Sequence, residues 1–105
     1  MNHSEYLIKQ LAEELPVPKS GKQSVVLIDN AKTKVILFSF AAYDGLALHI
    51  APFDATIQIV SGKAIINVGS EFVDGVPGTW IQMAAKTPHG IKTETPVVML
   101  LTLVK

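Results

Sequence analysis

Apolar positions in residues 4–15 recur at three- and four-residue spacing, through Leu7, Ile8, Leu11 and Leu15. That spacing gathers them on one face of a helix, with Ser4 placed to cap its start and Pro16 to end it. The pattern predicts one amphipathic helix of about three turns. Residues 16–21 read as an extended connector, because proline fixes φ and disfavours helix in the residue before it.

Beyond the connector the period changes. Short runs rich in Val, Ile, Leu and Phe occupy residues 24–29, 34–40, 46–51, 56–60, 64–68, 71–74, 79–83, 90–92 and 97–104. Turn formers separate them, among them Asp29-Asn30, Asp44-Gly45, Ser61-Gly62, Gly69-Ser70, Asp74-Gly75, Pro77-Gly78 and Thr95-Pro96. Regular punctuation of this kind predicts an all-β antiparallel sandwich or barrel. The chain divides into residues 1–22, helix and connector, and residues 23–105, the β domain.

Two runs lack alternation. Val35-Ile36-Leu37-Phe38 and Val97-Val98-Met99-Leu100-Leu101 are apolar on both faces, so each face needs a cover. One would line the interior, and the other would meet the helix or a second subunit. A homodimer joined through outer strands and helix is therefore expected.

Composition narrows the partners. The 105 residues hold nine Lys and no Arg against nine Asp plus Glu, so no basic face or guanidinium fork is offered to nucleic acid. With no Cys there are no disulfides and no thiolate ligands. The polar, acidic start Met1-Asn2-His3-Ser4-Glu5-Tyr6 is unlike a secretory signal, and no apolar run is long enough to span a bilayer. A cytoplasmic protein without membrane or nucleic-acid partners is the expectation.

Two histidines in different strands, His49 and His89, are the candidate chemistry. Imidazole is the commonest metal ligand and titrates near neutral pH. His3 is expected to be solvated ahead of the helix cap. Strand alternation would place His49 on one face with Ala47 and Ala51, small side chains that leave room for a ligand.

The order of Asp44-Gly45-Leu46-Ala47-Leu48-His49, Ile59-Val60-Ser61-Gly62, Gly78 and Thr87-Pro88-His89 resembles the small single-domain cupins of the conserved-barrel type. The resemblance covers residues 34–105 and implies a double-stranded β-helix, a jelly-roll barrel. It also implies a metal site of three histidines and one glutamate. Anchored on His49 and Gly62, Ala51 stands at the second histidine position, Ala55 at the glutamate and Tyr43 at the first glycine. Anchored on His89, Gly78 keeps its glycine, while Ala84 and Lys86 replace a proline and a second glycine.

Half the implied ligands are thus gone, and two imidazoles fall short of the three or four protein ligands a divalent transition metal generally takes. No tightly bound cofactor is expected, at most zinc, nickel, manganese or iron held weakly by His49 and His89. Asp54 is the neighbouring carboxylate that a longer loop would bring to that site. Tyr43 and Trp80 are the aromatics expected to line a pocket with His49, His89, Ala51 and Ala55, while Phe38 and Phe40 fill the core. Lys86 would stand near the mouth as a cation or simply be solvated. The expected function is binding of a small molecule in that pocket. A metal-dependent oxygenase or isomerase and a ligand-free dimeric scaffold are the alternatives.

Overall fold

A computed structural model describes residues 5–105, so His3 and the Ser4 cap lie outside the described residues. Nine strands form: β1 (Lys22–Asp29), β2 (Thr33–Phe40), β3 (Gly45–His49), β4 (Asp54–Ser61), β5 (Ala64–Val68), β6 (Glu71–Gly75), β7 (Trp80–Met83), β8 (His89–Thr93) and β9 (Val97–Val104). The five-stranded sheet runs β1-β2-β9-β4-β7 and the four-stranded sheet β3-β8-β5-β6. All seven pairings are antiparallel.

Alternation explains the core. Phe40, Ile57, Ile59, Val97 and Met99 from the larger sheet meet Ala64, Ile66 and Ile91 from the smaller one, and all are buried. Phe38 and Phe40 stack at 5.8 Å between ring centroids, as core aromatics.

The doubly apolar strands are covered twice, as their pattern requires. Leu37, Ser39 and Val98 alternate with the core-facing residues, yet they too are buried. Their cover includes the segment before β1: the Ser39 hydroxyl donates to the Pro16 carbonyl at 3.2 Å, and the helix packs beside β4.

That helix is shorter than its periodicity predicts. α1 (Leu11–Glu14) is a single turn, and Gln10 before it has extended backbone with no side-chain cap. A short helix is marginal in water unless packing holds it. Leu11 and Leu15 are partly covered, whereas Tyr6, Leu7 and Ile8 stay exposed and find no surface to stabilise earlier turns.

The turn before β3 fixes where that strand starts. The Asp44 carboxylate accepts the Gly45 N–H at 2.6 Å and pairs with Lys22 at 3.3 Å, and Thr93 bonds the backbone on both sides of it. The Gly45 N–H and then the Lys22 ammonium hold the Asp44 carboxyl below its ordinary value. Because the folded value is lowered, this stabilisation is present at neutral pH and is lost as pH falls through the ordinary carboxylate range toward the lowered one.

Gly62, at φ +88°, closes the β4–β5 turn against the chain before β9, where a Cβ would collide with the Pro96 carbonyl. Gly69 also has positive φ, but its surroundings are open. In urea unfolding, Gly62→Ala should therefore cost at least about 3 kcal/mol and Gly69→Ala only about 1 kcal/mol. Equal costs would show that the Pro96 contact does not limit the turn.

Candidate functional site

The site is built by an irregularity in β3. Leu46 pairs with Ile91 and His49 with His89, so three steps along β3 match two along β8. Ala47 and Leu48 together oppose the single residue Gly90, which is a β-bulge. The extra residue returns His49 to the inner side with Leu46, while Ala47 faces outward into an external groove. The shared face expected for His49 and Ala47 is thereby broken.

His49 and His89 come together as a direct cross-strand pair, with ring centroids 4.3 Å apart and planes tilted by 54°. His89 is buried at 5 % exposure, while His49 is exposed at the barrel mouth. Each ring is anchored the same way. His49 Nδ1 lies 2.8 Å from the Ala47 carbonyl oxygen and His89 Nδ1 lies 2.9 Å from that of Thr87. A carbonyl only accepts, so each Nδ1 carries the proton and donates it, which assigns the tautomer. In the neutral rings, Nε2 is left as the acceptor on each.

Leu46, Ile57, Ile91, Met99 and Leu101 pack around the pair and leave a cavity of about 10 Å³. That is roughly the space of one water molecule. Side chains fill the space beside the pair, and a larger ligand has room there only at the mouth.

The remaining expected residues do not line the cavity beside the pair. Asp54 accepts the Ala85 N–H at 2.9 Å, and the Ala51 carbonyl accepts the Lys86 N–H at 2.8 Å, so both tie together the loops at the rim. Ala55 is buried in the core between Met83 and Leu103. Trp80 is 61 % exposed and pairs with Gln58 on the outer side of the larger sheet. Tyr43 is 88 % exposed and borders an external groove with Ile65, Lys92, Thr93 and Glu94. Lys86 is exposed. Tyr43 lies in the turn before β3 and Trp80 on the outward alternation of β7, placements that spacing from the histidines does not reveal.

Tyr43 and Lys86 share one property, positive φ, at 60° and 68°. They are the only non-glycine residues with it among those described, and both stand where the cupin resemblance implies glycine. Gly62 and Gly78, the glycines retained, also have positive φ. The turn geometry persists where its glycines have been replaced.

The donor set does not fit a resident cupin-type metal. Among the described residues no three His, Cys, Asp or Glu side chains are grouped as a metal ion needs. Two imidazoles remain, and Asp54 is turned to the loop backbone.

No family model and no curated protein matches the sequence. Solved structures do. A conserved protein of unknown function from Streptococcus pyogenes is 28% identical with a TM-score of 0.85, over 100% of this chain and 90% of that one. A cupin superfamily protein from Desulfitobacterium hafniense is 22% identical with a TM-score of 0.86, over 97% and 93%. A cupin 2 conserved barrel domain protein from Leptotrichia buccalis is 27% identical with a TM-score of 0.84, over 90% of this chain and 46% of that one. The chain has the fold of the small cupins, a double-stranded β-helix, with one short N-terminal helix.

Two outcomes follow for the site. Lys86→Gly relieves a left-handed backbone and should stabilise the fold by about 1 kcal/mol in urea unfolding. A loss of stability would mean that the lysine side chain contributes more than its backbone costs. The double variant Ala51→His, Ala55→Glu should gain more thermal stability from added zinc than the unaltered chain does, by mass action on the native state. Equal shifts would show that these alanines do not stand at vacated ligand positions.

Proposed function

We propose that this chain binds a small hydroxylated organic molecule at the barrel mouth, with His49 and His89 as its polar handles and without a resident metal. The observation carrying this reading is the shared anchoring of the two rings. Each Nδ1 is committed to a backbone carbonyl, so an Nε2 acceptor remains on each of two rings whose centroids are 4.3 Å apart, beside Leu46, Ile57, Ile91, Met99 and Leu101. Adjacent hydroxyl groups can donate to both, while the carbon skeleton rests on the apolar rim. With a cavity of only about 10 Å³ beside the pair, this reading has the ligand above the pair rather than within the barrel.

A filled interior equally suits the reading in which the domain is a scaffold. Titration with glycerol, a monosaccharide and lactate, followed by the side-chain ¹⁵N resonances of the histidines, separates the two. Binding should shift the Nε2 signals of both rings, and His49→Ala should weaken it by about tenfold, the loss of one hydrogen bond of roughly 1.4 kcal/mol. Unmoved Nε2 signals with all three probes would favour the scaffold.

A further inference from the structure

The outer face of the four-stranded sheet is open and unusually apolar. Leu48, Ile65 and Phe72 all project from it, and Phe72 is 74 % exposed. The pairing registers set two rows across this face. In one, Phe72 of β6, Asn67 of β5 and Gly90 of β8 lie side by side, with the bulge residues Ala47 and Leu48 beyond. In the other, Asp74, Ile65 and Lys92 follow the same order of strands.

Each row is unlike at its two ends and centred on β5. The first has a protruding phenyl ring at one end. At the other end Gly90 has no side chain, and a groove of about 340 Å³ opens over it, bordered by Leu48 on one side and by the chain's own Phe72 on the other. The second has a carboxylate at one end and an ammonium at the other. Neighbouring strands are about 4.8 Å apart, so both ends stand one strand from the centre. Neither Asp74 nor Lys92 forms an ion pair within the chain among the described residues.

A twofold axis running along β5 just above the sheet exchanges the two ends of both rows. We infer that two copies of this chain pack their four-stranded sheets face to face about such an axis, the partner's Phe72 filling the groove over Gly90 and the partner's Asp74 meeting Lys92. The same operation makes the reciprocal contacts, as an isologous interface must. It keeps the strands of the two copies nearly aligned, which is one of the two ways sheets stack. An aromatic anchor seated in a partner's pocket, with charges paired around it, is the usual distribution of binding energy at an interface. This places the dimer on the smaller sheet rather than on the outer strands and helix of the larger one, whose outer face is already covered in part by residues before β1.

Light scattering after size exclusion, across a concentration series, tests this. The unaltered chain should have twice the 11.3 kDa mass of one copy. Phe72→Lys should reduce it to one copy, as should Lys92→Asp, which sets two carboxylates against each other. Combining Lys92→Asp with Asp74→Lys should restore the dimer, because both pairs are then reversed together. These side chains are exposed, and thermal unfolding checks that each variant keeps its fold. Three results overturn the inference: a mass of one copy for the unaltered chain, a dimer that survives Phe72→Lys, or failure of the paired reversal to restore what the single reversal breaks. The first would leave the groove to a small ligand or a different protein.

Discussion

Gly90 and the β3 bulge opposite it form the constraint on which both surfaces of the smaller sheet depend. A Cβ at Gly90 would stand 3.0 Å from the Leu46 carbonyl oxygen and 3.2 Å from the Leu48 nitrogen. β3 therefore runs close over β8 where two of its residues face one. On the inner side, the extra residue turns His49 toward His89. On the outer side, the absent side chain leaves the groove bordered by Ala47 and Leu48. One local departure from pairing thus creates the histidine pair and the recess behind it.

Much of the fold was legible in the sequence, because burial is periodic. All nine strands occur where alternation and turn residues set them, and the limits of β5 and β9 agree to the residue. The doubly apolar run of β9 correctly required two covers. The helix was misjudged because periodicity records which face could be buried, while the helix persists only where something buries it. Leu11 and Leu15 meet that condition; Leu7 and Ile8 do not.

Less of the site was legible. The histidines are forty positions apart and meet only through the β3–β8 register, which a bulge sets. A bulge leaves little trace in composition, so alternation put Ala47 on the wrong face. Positive φ at Tyr43 and Lys86 was equally hidden, since neither residue favours it. Glycine in the cupin resemblance marked both places, so the family pattern carried backbone information that this chain's own residues conceal.

The small space beside the histidines also sets what an internal ligand would cost the fold. Enclosed catalysis needs a water-excluding space around the reacting atoms, and the space beside the histidines holds about one water. Met99, Leu101, Ile57 and Ile91 line that space. Enlarging it would remove core contacts between the two sheets, at a cost of several kcal/mol for each large side chain deleted. Stability of the barrel and capacity for an internal ligand are therefore in direct competition here. The exposed His49 ring and the external groove over Gly90 escape that competition, since both lie at the surface and leave the packing between the sheets intact.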